Sequence, residues 1–410
     1  MDQRSLTQSR SSAEPELAPG RRRALAMLAA ALVLAMSTWF SASAVIPQLR
    51  AEWGLSDTAG AWLTIAVQLG FVTGALLSSV LNLSDVVSPR RVIIAGALGA
   101  SAANALLGAA GGAAWAIPLR FGTGFFLAGV YPPAFKLMST WYRRGRGVAL
   151  GVLAGAIALG SAAPHLVNGL GGLDWRVVVY VTSILTALGG LVAFSVTEGP
   201  FPFPRATFDP RQARLAFSNR GVRLASLGYF GHMWELFAMW TWFVVFFTDV
   251  VGPGPRAAYA TFAVIGIGAL GCWVGGVMGD RWGRSRTTAA MMLTSGLCAV
   301  LIGFLSSAPT WVVVAVGLVW GFTVIADSAQ FSTMVTELAD QAYVGTALTL
   351  QLALGFTLTV ATIWLIPVLE SSVGWRWAFA FLAPGPALGV IAMLRLRSSP
   401  EASLIAEGRG

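Results

Sequence analysis

Lysine is all but missing from this chain. Of 27 basic residues only Lys136 is a lysine, and the others are arginine. Charge as a whole is scarce: 11% of the 410 residues are Asp, Glu, Lys or Arg, against about 25% in an ordinary soluble domain. Two cysteines, Cys272 and Cys298, lie inside apolar runs. They exclude a disulfide framework and a cysteine metal site, and they read as small apolar fillers. No glycine-rich phosphate loop ending in Lys-Ser or Lys-Thr occurs, so direct drive by ATP is excluded. No helix carries a histidine pair at ligand spacing, and no Ser or Cys nucleophile has an evident base. The sequence therefore implies no enzyme, no metal and no cofactor.

What is present is apolar sequence, at 56% of the chain. A water-soluble fold would leave much of that surface wet, whereas a bilayer accepts a protein as apolar outside as inside. A spanning helix needs about 20 apolar residues. Such runs fall near 24–48, 58–81, 91–111, 114–138, 147–170 and 175–196, then near 222–248, 257–279, 287–307, 310–337, 343–368 and 375–396. The fold class is an all-α integral membrane protein with twelve transmembrane helices in two six-helix bundles. The polar residues 1–20 read as a disordered cytoplasmic tail. Bundles of residues 21–197 and 221–397 flank a proline- and arginine-rich linker, 198–220, and residues 398–410 form a second tail. The run after Arg21, Arg22 and Arg23 is too long for a signal-peptide core, so it reads as an uncleaved first helix.

The formal net charge of +9 suggests a nucleic-acid partner only until the arginines are located. With the N-terminus in the cytoplasm, 21 basic residues fall in inner links and tails. The outer links hold only Arg50, Arg176, Arg256 and Arg376. That bias orients a membrane protein, so both termini and the 198–220 link are expected in the cytoplasm of a multi-pass plasma (inner) membrane protein. The partners are then the lipid bilayer, a small-molecule substrate and protons. No nucleic acid is implied, and the chain reads as a monomer.

The halves repeat. Trp175-Arg176 returns as Trp375-Arg376, 200 residues later. "AFKLMST" from Ala134 parallels "QFSTMVT" from Gln330, "GVALGV" from Gly147 parallels "GTALTL" from Gly345, and Asp85 parallels Asp280. Four matches at nearly one offset argue for duplication.

The link after the eighth helix reads Gly276-Val-Met-Gly-Asp280-Arg281-Trp-Gly283-Arg284. Here the chain resembles the major facilitator superfamily, which carries G-x-x-x-D-R-x-G-R between the second and third helices of each half. The resemblance covers about residues 21–397. It implies two bundles around a central cavity, alternating access, and a conformational latch at Gly276, Asp280, Arg281, Gly283 and Arg284. The first-half copy, "LNLSDVVSPRR", keeps only Asp85, Arg90 and Arg91. Arg120, in "RFGTG", resembles the family's fourth-helix R-x-x-x-G. The family's antiporter motif has Gly-Pro where this fifth helix has Gly155-Ala156, and no Arg lies within the second or eighth helix as in the nitrate porters.

Candidate site residues follow from burial in lipid. Arg120 sits roughly 9 Å below the outer surface, where a charge is functional by default. Tyr131-Pro132-Pro133 lies lower in the same helix, where paired prolines kink it. In the seventh helix His232 and Glu235 share a face with Met239 and Trp242. Glu235 lies about 20 Å along that helix, near the middle of the bilayer. Asp327 in the tenth helix is also intramembrane, whereas Glu337 reads as interfacial. Gly147, Gly151 and Gly155 in the fifth helix and Gly271, Gly275 and Gly279 in the eighth form packing stripes. The leading expectation is proton-linked uptake of an organic anion, with Arg120 facing the anion and Glu235 with His232 carrying the proton. The alternative is efflux of a hydrophobic or cationic compound. A membrane-embedded sensor or enzyme would be a different class, and the missing catalytic set and soluble domain speak against it.

Overall fold

The computed structural model of the protein describes residues 18–142, 146–170, 174–201, 213–340 and 344–410, without the side chains of Ser84, Asp85, Arg146, Ala213 and Ala216. Expectations for the first seventeen residues, for Arg143, Arg144 and Asp85, and for most of the proline-rich linker fall outside the described part.

Among the described residues, ten helices are long and apolar enough to cross a membrane. An eleventh span is a bent pair, Arg21–Thr38 and Ser43–Trp53. The nineteen-residue helix Pro89–Leu107 supplies the twelfth. The first half is thus the bent pair, Asp57–Val80, Pro89–Leu107, Ala113–Ser139, Gly147–Gly169 and Trp175–Ala193. The second is Arg220–Val251, Pro255–Trp282, Arg284–Phe304, Thr310–Leu338, Val344–Val373 and Trp375–Arg397. Short polar residues start several of them: the side chains of Ser56, Asp174 and Asn219 each accept a first-turn N–H, which satisfies donors that lipid cannot. Large apolar side chains such as Leu188, Leu191 and Leu388 point outward, and Trp115 and Trp311, 196 residues apart, stand exposed near helix starts. Exposed tryptophans near helix ends are the side chains expected at a membrane interface.

Both halves use the same contacts. A methyl group on Gly70 would strike the backbone of Phe121 in the fourth helix, and one on Gly271 would strike Phe322 in the tenth. The second helix therefore lies backbone to backbone on the fourth, and the eighth on the tenth. The Gly271–Gly275 stripe thus packs on the tenth helix. The fifth-helix stripe does meet the eighth helix, with Gly151 against the Cys272 carbonyl and Gly155 against Ala269.

The fourth and tenth helices break at related places. Regular helix stops at Leu127 and resumes at Tyr131, and it stops at Val324 and resumes at Ser328. The paired prolines explain the first break. The second has none, and Asp327 occupies its last residue.

The first span is bent by 49° between Thr38 and Ser43, which frees backbone carbonyls in the middle of the half. Arg120, wholly buried, meets them. Its guanidinium donates to the carbonyls of Thr38 at 2.9 Å, of Leu63 at 3.2 Å and of Trp39. It also donates to Ser41 Oγ at 3.0 Å and Asn104 Oδ1 at 3.1 Å. Asn104 in turn donates to Val179 O and Ser183 Oγ in the sixth helix. One arginine thus ties the break to the second, third and sixth helices. This is a correction to Arg120 as an anion-facing charge: its donors are turned to backbone oxygen inside the first half.

Arg120→Lys keeps the charge but offers three donors from one point, which cannot span acceptors on three elements. It should cost about 2–4 kcal/mol, the penalty of one or two stranded buried carbonyls. Thermal unfolding in detergent measures this, and a lysine variant as stable as the parent would contradict the role.

Candidate functional site: a cavity between the halves

A cavity of about 40 Å³ lies between the two bundles. Trp39, Tyr131, Ala154, Ile157 and Ser161 line it from the first half. Tyr229, Met233, Leu236, Phe237, Trp240, Ile325, Ser328 and Phe356 line it from the second. Tyr131 and Ser328, the residues on which the fourth and tenth helices resume, face it from opposite sides. The rings form a continuous wall. Trp39 lies 5.9 Å from Phe237 and 5.8 Å from Phe356. Behind them Phe71 packs on Trp39 at 4.9 Å and stacks on Tyr131 at 5.9 Å. Six of the thirteen lining residues are aromatic and none is charged.

Of the expected pathway residues only Tyr131 reaches this cavity. On the seventh helix Tyr229, Met233, Leu236, Phe237 and Trp240 form the lining stripe, while His232, Glu235, Met239 and Trp242 lie roughly 120° around the helix. The second stripe is buried in the second half. Met239 is enclosed, and Trp242 donates its indole N–H to the Ile363 carbonyl at 2.9 Å.

The acidic residues are arranged differently from the expected pairing. His232 and Glu235 share a face but not a bond. His232 Nδ1 lies 2.9 Å from Asp327 Oδ1, both side chains almost fully buried. Glu235 accepts from Trp320 Nε1 at 2.6 Å and from Ser295 Oγ at 2.9 Å. The His232 ring stacks on Tyr229, with centroids 6.1 Å apart, and Asp327 sits between the lining residues Ile325 and Ser328. The His–Asp pair is therefore directly behind the cavity wall, and Glu235 is one layer deeper.

Of the expected latch residues, Asp280 and Arg284 bond to each other, and Arg284 gathers further partners. It contacts Asp280 Oδ1 at 3.1 Å, Glu337 Oε1 at 3.0 Å and Gln330 Oε1 at 2.9 Å. Glu337 is thus a bidentate arginine partner rather than an interfacial bystander. Gly283 adopts φ 95°, left-handed backbone that favours glycine, and so turns the chain from the eighth helix into the ninth. A methyl on Gly147, in the first turn of the fifth helix, would meet Asp280 Oδ1 at 2.8 Å, so the cluster touches the other half. The C-terminal residues fold onto it. Ile405 is buried, the Ala406 N–H donates to Glu337 Oε2 at 3.3 Å, and Arg409 donates to the Asp280 carbonyl at 2.6 Å. Arg281 and Arg91 are exposed. Arg90 lies over the Phe194 ring and donates to the Phe194 carbonyl at 3.3 Å.

Sequence reasoning missed Trp39, Tyr229, Phe237, Trp240 and Phe356. The 229–233–236–240 spacing was a readable signal, but an apolar stripe is the commonest face of any membrane helix. Asn104 gave no signal at all.

Two duplicated six-helix bundles around an aromatic cavity define a membrane transporter. A family model described as Major Facilitator Superfamily matches residues 27–362 and 274–410, and the chain belongs to that family. It is 32% identical over 175 residues to puromycin resistance protein pur8 of Streptomyces alboniger, covering 42% of this chain and 34% of that protein. The chain thus spans about a third of that relative's length. It is 27% identical over 304 residues to the probable nitrate/nitrite antiporter NarK1 of Thermus thermophilus, covering 68% of this chain and 67% of that one. Among solved structures, a bacterial homolog to the human lysosomal transporter Spinster, inward-facing and unoccupied, matches with a TM-score of 0.69 at 16% identity. The match covers 93% of this chain and 99% of that one. The inward-facing, occupied form gives 0.63.

Asp280→Asn should slow transport several-fold and leave substrate affinity within a few-fold, because the carboxylate lies at the helix ends and not at the cavity. Transport rate and equilibrium binding measured on one preparation check this. Lost binding with normal turnover would contradict it.

Proposed function

We propose that this chain exports a lipophilic, neutral or cationic aromatic solute by alternating access, coupled to protons through His232 and Asp327. The observation that carries the reading is the cavity wall, with six aromatic side chains and no charged one. Aromatic faces attract flat apolar bodies and cations, and a wall without a basic side chain gives an anion no counter-charge. Arg120, which would have served uptake of an organic anion, is engaged with carbonyls inside the first half. The likeness to a puromycin resistance protein supports export of an amine that carries aromatic rings. The likeness to a nitrate/nitrite antiporter supports the second reading, a small inorganic anion, which the uncharged lining disfavours.

Coupling needs an acid that can take a proton from one side and give it to the other. Asp327 meets that need best, since it closes the break in the tenth helix between two lining residues. His232 holds it and touches Tyr229. Cys272 lies beside Asp327, with its thiol on the Ile325 carbonyl, and Glu235 forms a second acidic site nearby.

Proteoliposomes with an imposed pH difference test both parts. Puromycin, an aliphatic amine with aromatic rings, should accumulate against its gradient and nitrate should not. Asp327→Asn should abolish pH-driven accumulation yet keep exchange at equal concentrations. Nitrate movement without puromycin movement would overturn the solute class, and undiminished accumulation by Asp327→Asn would overturn the coupling site.

A further inference from the structure

Five tryptophans are nine-tenths or more buried: Trp39, Trp175, Trp240, Trp242 and Trp320. Three of their indole N–H groups meet acceptors within the protein. Trp175 donates to Glu52, Trp242 to the Ile363 carbonyl and Trp320 to Glu235. The other two, Trp39 Nε1 and Trp240 Nε1, are enclosed and meet no acceptor among the described residues. Those are the two that line the cavity. A buried donor without an acceptor is costly, and native proteins rarely leave one.

The two also correspond across the duplication. They are 201 residues apart, the same offset as Gly70 and Gly271. Each belongs to the first helix of its half, Trp39 at the break that Arg120 holds and Trp240 on the seventh helix. They converge on one ring, since Phe237 lies 5.9 Å from Trp39 and 5.8 Å from Trp240. The wall therefore presents an aromatic surface with one indole from each half beside it.

The geometry points to Trp39 and Trp240 as a pair of hydrogen-bond donors that selects solutes carrying two acceptor atoms on a flat aromatic body. This rests on the proposed export of aromatic solutes through the same cavity and adds the feature that discriminates among them. A site built around donors rejects a ligand of the same shape that lacks acceptors, because the donors then stay unpaired. With one donor in each half, such a solute also bridges the bundles and is gripped only when both close on it.

Three tricyclic probes of nearly one shape separate the possibilities: phenazine with two ring nitrogens, acridine with one and anthracene with none. Saturable binding of each tritiated probe is measured on the full chain in nanodiscs, against empty nanodiscs. The parent protein should bind phenazine about tenfold more tightly than anthracene, with acridine between. Trp39→Phe and Trp240→Phe, which keep a ring and remove the donor, should each weaken phenazine about five- to tenfold and leave anthracene within about twofold. Retained anthracene binding shows that the variants are folded. Equal affinity for phenazine and anthracene would overturn the donor pair while leaving the aromatic cavity in place. Parallel loss of both probes in the phenylalanine variants would overturn it too, since ring packing and not donation would then matter. No saturable binding of any probe would overturn the donor pair together with the export reading.

Discussion

A helix that breaks inside a bilayer frees carbonyl groups that no water reaches, and in this protein the first break is held by Arg120. The bent first span can place Trp39 against the cavity only because the Thr38 and Trp39 carbonyls have a donor. The same guanidinium reaches Leu63 and Asn104, so the bend, the second helix and the third are fixed together. Remove that donor and the break must reseal as helix or find another partner. Either outcome moves the aromatic wall.

The halves share a scaffold and differ in polar content. Backbone contact between the second and fourth helices returns between the eighth and tenth, and the fourth and tenth helices break at related positions. Among the described residues the first half buries one arginine, Arg120, satisfied by carbonyls, amide and hydroxyl, and one histidine, His165. The second buries acids at this depth, with His232 against Asp327 and Glu235 against Trp320 and Ser295, and keeps its buried arginine, Arg284, at the helix ends. Among the described residues the buried carboxylates are thus concentrated on one side of the cavity, while the other side is pinned. A protonation change in the second half then acts against a fixed partner, and the Arg284 cluster touching Gly147 lies where relative motion of the halves would be resisted.

The twelve spans, the duplication and the Asp280–Arg284 cluster were legible in the sequence, because length, hydropathy and motif spacing are local properties. The intramembrane positions of Arg120, Glu235 and Asp327 were legible for the same reason. Their partners were not. His232 and Glu235 stand one turn apart, and nothing in that spacing says that each looks to a different helix. Arg120 reads as a free charge until the bend in the first span is known, and no proline or glycine within residues 36–45 announces that bend. The cavity wall escaped because aromatic side chains facing a solute and those facing lipid have the same composition.

The central claim is that the space between the halves is reached in turn from the two sides of the membrane. Ser161 lines it from the first half and Ser328 from the second. Each is replaced by cysteine in a protein whose Cys272 and Cys298 are serine, and labelling by a membrane-impermeant maleimide is followed from each side of oriented vesicles. The account predicts that both positions are labelled from either side during turnover. Labelling from neither side, or from one side only under every condition, would contradict it.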